Sequence, residues 1–417
     1  MKIVSVEKYY FTTGGASRVF FETNRLLEER GHQVIPFTGR YPQNLPSAYA
    51  DYFVPRFTMF SGEETGRATP AQMLKAFADA VYAVDAARAV DRIVADHKPD
   101  LAHLHTILYQ LSPSVIERFK RARIPVVQTL HDFSLGCASR YLYVDGAICE
   151  RCRRHRYHHI LLRNCCNKSL PVSLMSFTAK AVHALFHLYP GKVDLFIAPS
   201  AFVKTKMIEW GLPERKIVHI DHFLPAPPGP EPDGGHDDYI LYAGYLVRQK
   251  GVYTLLKAMA KVRGVRLLIA GRGPERDGMA AFIRSHNLGN IEFAGFLSGP
   301  DLTRAIHRCR FLVFPSECYE TFGMGVLEAF LAGKPVVASD LGALPELVAP
   351  GERGDLFEPG NPDDLAAKVE ALFRDEDRTR VMGRAARAFA VNNYNQDSYY
   401  EKLMSVYRRL TGSSSDR

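Results

Sequence analysis

Pro315-Ser-Glu-Cys-Tyr-Glu320-Thr-Phe-Gly323-Met-Gly325-Val-Leu-Glu328-Ala329 follows the short apolar run 311–314 and leads into an apolar helical pattern. A strand entering a glycine-bearing loop and then a helix is the repeating unit of a parallel α/β sheet. Gly323 and Gly325 let the first N–H groups of that helix approach an anion closely. Glu320 precedes the helix and Glu328 lies within it. On one continuous helix, their eight-residue spacing would separate the carboxylates by about 12 Å. That separation suits a nucleotide sugar, with one Glu on ribose hydroxyls, the other on sugar hydroxyls and the diphosphate at the amides between them. On spacing alone, two solvated carboxylates favoured by the helix dipole are the commoner arrangement.

The same strand-and-helix rhythm extends through the chain. Continuous apolar runs predict strands over 2–6, 33–37, 101–105, 125–130 and 194–198, then over 239–243, 266–270, 291–294, 311–314 and 335–338. Such runs fit strands covered by helices on both faces. Helical periodicity predicts helices over 71–95, 254–262, 362–373 and 398–410. Residues 225–235 break the pattern, since five of these eleven are proline. They read as a linker. The expected organisation is a first α/β domain over 1–224, a linker over 225–238, a second α/β domain over 239–392, and a C-terminal helix and tail over 393–417.

A second chemical element shifts the balance at Glu320. After the predicted strand 239–243 comes Gly244-Tyr-Leu-Val-Arg248-Gln-Lys250-Gly251. Ligands bind outside the carboxyl ends of parallel strands. Arg248 and Lys250 therefore stand where a diphosphate leaving group would be held. In the first domain, strand 2–6 leads to Thr12-Thr13-Gly14-Gly15-Ala16. This is either a turn that admits a ligand to the backbone or simply a tight turn. His103, His105 and His131 fall at strand ends on the same edge.

Composition sets outer limits. The 417 residues are 47% apolar and 24% charged, which excludes disordered and fibrous classes. No uninterrupted apolar run reaches the roughly 20 residues of a membrane span. The N-terminus lacks the features of a signal peptide, so a cytoplasmic protein is expected. Net charge is +8, and residues 101–200, with thirteen cations against five carboxylates, hold the whole excess. Arg151, Arg153, Arg154, Arg156 and Arg163 concentrate it, which points to an anionic partner. Aromatic platforms are not interleaved there, so no nucleic-acid partner is expected. Residues 170–189 are apolar but carry Lys180, His183 and His187. They read either as a buried helix or as an interfacial one that inserts Leu174, Phe177, Leu185 and Leu188 into an anionic membrane surface.

Five of the seven cysteines lie between 137 and 166. Cys149-Glu-Arg-Cys152 is a C-x2-C knuckle, with Cys137 before it and Cys165-Cys166 after. Cys137, Cys149, Cys152 and Cys166 are the expected ligands of a structural zinc, with Cys165 as the competing fourth. His155, His158 and His159 are substitute ligands, and the alternatives are a loop of reduced, uncoordinated thiols and a redox pair.

Taken together, Glu320 and Glu328, the Gly244…Lys250-Gly251 turn, Gly14-Gly15-Ala16 and His131 resemble a family 4 glycosyltransferase of the GT-B fold. Gly333-Lys-Pro-Val-Val337, Asp340-Leu-Gly-Ala-Leu-Pro-Glu346 and Gly354-Asp-Leu-Phe-Glu-Pro-Gly360 extend the resemblance to essentially the whole chain. It implies two Rossmann-like domains facing a central cleft, with the C-terminal helix returning to the first. It implies sugar transfer from a nucleotide diphosphate with retention at the anomeric carbon, and no catalytic metal. By the same resemblance, Glu320 touches the donor sugar and Glu328 the ribose. The amides of Phe322, Gly323 and Met324 meet sugar and phosphate. Phe296 and Leu297 lie near the base, Gly14 and Gly15 near the donor, and His131 faces the reacting centre. Two departures stand out. Tyr245 occupies a position where the family usually has Arg, and Asp221-His222-Phe223 replaces an Asn-Gly. The expected acceptor is a lipid-linked saccharide at the cytoplasmic membrane face, as in glycan or exopolysaccharide assembly. The alternatives are a soluble transferase making a small glycoside and a non-catalytic binding protein that retains the fold.

Overall fold

Lys2–Val6, Leu101–Leu104, Val126–Thr129 and Leu195–Ala198 are strands of four or five residues in which nearly every side chain is buried. Two-sided burial of this kind requires helices on both faces of the sheet. The computed structural model supplies them, and it describes residues 1–55, 69–166, 168–225 and 236–412. The first six-stranded sheet runs 217–219, 195–198, 126–129, 101–104, 2–6, 33–37, with every neighbouring pair parallel. The second runs 291–295, 266–270, 239–243, 312–314, 336–339, 354–357 and is also parallel throughout. These are the two doubly wound α/β sheets expected from the sequence.

The chain divides into two compact units. One holds 1–142, 150–221 and 399–417, and the other holds 143–149 and 222–398. The short antiparallel hairpin Tyr143–Val144/Ala147–Ile148 thus groups with the second unit. The C-terminal helix Gln396–Thr411 delivers Tyr399, Tyr400 and Tyr407 to the first. Tyr399 Oη lies 3.0 Å from Thr23 Oγ1, Tyr400 Oη 2.8 Å from His32 Nε2, and Tyr407 Oη 2.7 Å from His103 Nδ1. The helix is therefore held by polar contacts as well as by its buried Leu403 and Tyr407. Of the expected linker, residues 226–235 lie outside the described residues.

Two expectations about elements need correction. The periodic stretch 71–95 is two helices, Pro70–Val81 and Val84–His97. They part where Ser112 Oγ accepts the Ala83 N–H at 2.9 Å and Ser114 Oγ donates to the Ala83 carbonyl at 2.9 Å. Both groups of Ala83 are thus taken by serines some thirty residues on. Two edge strands, Ile217–His219 and Gly354–Phe357, were not anticipated.

Candidate functional site

The site assembles in the second unit, at the carboxyl ends of strands Tyr239–Ala243 and Leu312–Phe314. The loop after the first strand and the loop after the second are tied together. The Gln249 carbonyl accepts the N–H groups of Glu317 at 2.9 Å and Cys318 at 3.2 Å. Gly251 lies against the second loop with φ of 68°, and a Cβ there would stand 1.6 Å from the Pro315 carbonyl oxygen. Only glycine serves at this position. Gly342 closes the other side, where a Cβ would meet the Glu320 backbone N at 2.7 Å. Ala343 N–H bonds the Glu320 carbonyl at 3.0 Å. The glycine of Asp340-Leu-Gly-Ala-Leu-Pro-Glu346 is thereby explained by close approach to the loop that carries Glu320.

This clamp brings Lys250 and Glu320 together. Lys250 Nζ donates to Glu320 Oε1 at 2.6 Å, and Ser316 Oγ donates to the same oxygen. Both side chains are mostly buried, 27% and 14% exposed. Burial works against the Lys250 charge, but the Glu320 carboxylate outweighs it and the pKa rises above the usual lysine value. Lys250 is held as a cation facing the loop. Arg248, 70% exposed, turns instead to Glu275 Oε1 at 3.1 Å and lies over the Tyr253 ring. It does not join the Glu320 cluster. Tyr245 is 54% exposed.

The helix begins at Met324 with Gly323 as its cap, at φ of 107°. Glu320 therefore sits in the preceding loop, and the 12 Å spacing of a continuous helix does not apply. Phe322 is a core residue packed against His222 and Tyr394. Its burial anchors the turn whose amides, with those of Gly323 and Met324, precede any intrahelical carbonyl partner. Glu328 lies half-buried one turn inside the helix. Phe296 is 58% exposed beyond strand Ile291–Gly295, with the Arg272 guanidinium 4.5 Å from its ring centroid, while Leu297 packs on the core. Sequence reasoning missed Gln249, Arg272 and Glu317. Thr254 donates to Glu317 at 2.6 Å and Tyr143 at 2.9 Å. The Gly271-Arg-Gly273 turn was the available signal for Arg272, since Cβ atoms at both glycines would strike backbone oxygens of Gly244 and Leu246.

His131, Gly14 and Gly15 belong to the first unit. His131 Nε2 lies 2.8 Å from His105 Nδ1 in a stacked pair. Burial lowers the His131 pKa to about 4, with Asp132 opposing, so it is neutral near pH 7. Gly14 caps helix Gly15–Glu29, and the N–H groups of Thr13 and Gly14 are both bonded to Ser17 Oγ. Those two amides are already occupied.

The structure gives the zinc expectation no support. Among the described residues, no group of three or more His, Cys, Asp or Glu side chains comes together to hold a metal ion. Cys137, Cys152 and Cys166 are buried in the first unit, but Cys149 lies at the end of the hairpin segment that groups with the second. Cys165 and Cys166 are free thiols joined by a side-chain hydrogen bond, which lowers the Cys166 pKa. Among the described residues, no helix is long and apolar enough to cross a membrane.

Residues 13–224 match the family described as Glycosyltransferase Family 4, and residues 231–389 that described as Glycosyl transferases group 1. Glycogen synthase of Mycobacterium tuberculosis is 27% identical over 74% of this chain and 69% of its own length. An uncharacterised glycosyltransferase of Methanocaldococcus jannaschii is 25% identical over 86% and 87%. Among solved structures, sucrose-phosphate synthase of Thermosynechococcus elongatus superposes with a TM-score of 0.71 at 20% identity, over 99% of this chain and all of that one. Anabaena HepE, crystallised with UDP and glucose, gives 0.68 at 18%, over 98% and 100%. Family descriptions thus account for both sheets and for the loops that carry Lys250 and Glu320, and the chain belongs to glycosyltransferase family 4, as a transferase with the GT-B fold.

Proposed function

We propose that the chain transfers a sugar from a nucleoside diphosphate to a lipid-linked saccharide, with retention at the anomeric carbon, at the cytoplasmic face of a membrane. The observation that carries this reading is the Lys250–Glu320 pair, held by the Gln249 clamp beside the Gly323 helix terminus. As the carbon–oxygen bond to the diphosphate breaks, negative charge develops on phosphate oxygen. A preorganised cation and the amides of a helix start stabilise that charge most where it is greatest, in the transition state. Glu320 is engaged by Lys250 and Ser316. This argues for donor-sugar binding over covalent attack and favours acceptor entry from the leaving-group face, with a phosphate oxygen taking the acceptor proton. Arg272 stacked on Phe296 fits a platform for the base.

The acceptor reading rests on a surface of the first unit. Helix Leu170–Leu185 buries Val172, Met175 and Ala179 and leaves Leu174 46% and Leu185 73% exposed. Phe186 and Leu162 are 64% and 74% exposed nearby in the chain, and Arg151, Arg154 and Arg156 are exposed. Exposed apolar side chains beside cations suit an anionic lipid surface. Phe177 is not part of this face, because it packs on the Met175 cluster, and Leu188 is half-buried. Product analysis with a lipid-diphosphate saccharide and UDP-, GDP- and ADP-sugars tests the proposal. Transfer only to water-soluble sugars would replace the acceptor class.

A further inference from the structure

A cavity of about 100 Å³ lies within the first unit, behind helix Leu170–Leu185. Neither the donor site nor the sugar-transfer chemistry uses it. Its walls are largely apolar, with Leu135, Tyr109 and Trp210 among them, yet Arg140, Lys180 and His183 also line it. The indole of Trp210 lies flat on Gly136, where a Cβ would stand 2.2 Å from Trp210 Cε3. Its Nε1–H is buried without a hydrogen-bond partner among the described residues, a donor left for an oxygen atom. Lys180 donates to the Ser134 carbonyl and His183 lies 3.0 Å from the Val81 carbonyl, so both heads are fixed in the wall. Burial lowers the Lys180 pKa, while Cys137 and Asp132 oppose it. A mostly apolar pocket with a few placed polar groups is the usual form of a ligand site.

The lining and the charge select the ligand class. A neutral sugar would leave most of these apolar walls unmatched, and a bare anion would not fill them. We propose that the cavity binds an amphiphilic anion, an apolar chain ending in a phosphate, with the chain against Leu135, Tyr109 and Trp210 and the phosphate at Arg140 and Lys180. The volume is below the roughly 150 Å³ of a dry cavity that takes benzene, so it seats only the few carbons next to the head, and the rest of the chain lies outside it. Helix Leu170–Leu185 connects this cavity to the lipid-facing surface. Lys180 and His183 line the cavity, while Leu174 and Leu185 are exposed. The inference deepens the lipid-linked acceptor reading and rests on it for the source of the ligand.

Trp210 is the only tryptophan of the chain, so its emission reports the cavity directly. The full-length protein is titrated with geranyl phosphate, geraniol and inorganic phosphate. A saturable emission change with geranyl phosphate is expected, with apparent affinity at least about tenfold above either control, a difference of about 1.4 kcal/mol. Ala179 lines the cavity, and Ala179→Leu fills it, so binding should weaken by about tenfold or more. Arg140→Gln, at a half-buried position, should weaken geranyl phosphate and leave geraniol unchanged. Circular dichroism checks that both variants fold. No saturable response, equal responses to inorganic phosphate and geranyl phosphate, or unchanged binding in both folded variants would overturn the proposal. Release of nucleoside diphosphate from UDP-, GDP- and ADP-sugars is followed on the same samples. Turnover without geranyl phosphate binding removes the cavity assignment and keeps the transferase reading. Binding without turnover of any nucleotide sugar keeps the cavity and removes that reading.

Discussion

Lys250 and Glu320 are seventy residues apart in sequence and 2.6 Å apart in space, and the residues that close this gap are small or backbone groups. Gly251→Ala would set a methyl group against the Pro315 carbonyl and force a left-handed backbone on alanine. The expected result is a loss of about 1–3 kcal/mol and a lower Tm, with weakened nucleotide binding, read by thermal unfolding and calorimetry. The buried histidines of the first unit predict acid sensitivity. Burial lowers His103 to about 3, and His131 and His183 to about 4. The unfolded chain therefore binds these protons first, and stability present above about pH 6.5 is lost as the pH falls toward 4. Burial raises Glu7 to about 8, so its contribution runs the other way, but three histidines outnumber it. Tm should be lower at pH 5 than at pH 7, and a higher Tm at pH 5 would reject this assignment.

At the level of elements, helix Leu170–Leu185 carries the membrane reading. Anionic vesicles should sediment the protein, added salt should reduce binding, and replacing Leu174, Leu185 and Phe186 together by serine should abolish it. Salt-independent binding, or none, would leave this helix as an ordinary surface element. The sheet strands were legible because they are buried on both faces and read as unbroken apolar runs. The strand Ile217–His219 was not, since it has three residues and exposes His219. The break at Tyr82 was invisible because the serines that stop the helix come from residues 112 and 114. The cysteine spacing suggested a four-thiolate metal site, but among the described residues no three His, Cys, Asp or Glu side chains are placed to hold a metal ion. The Lys250 and Glu320 loops were legible as strand-to-helix turns. Their clamp was not, because the Gln249 carbonyl that forms it is a backbone group with no sequence signature.

Across the whole molecule, two parallel sheets have separate cores: the second carries the Lys250–Glu320 site, and the first carries His131 and helix Leu170–Leu185. A donor that binds only the folded second unit stabilises it by mass action, about 2.7 kcal/mol at a hundredfold excess over Kd. The matching nucleotide sugar should therefore raise Tm in a panel of UDP-, GDP- and ADP-sugars, and no response to any would speak against a donor site. The most direct measurement of the central claim is the rate of nucleoside diphosphate release from that donor by wild type, Lys250→Ala and Glu320→Ala, with folding verified for each. If Lys250 is the cation that meets the departing diphosphate, as proposed, its loss should lower kcat by about 10²–10³-fold, and loss of Glu320 should remove most turnover. Near-wild-type rates in both variants would contradict the account.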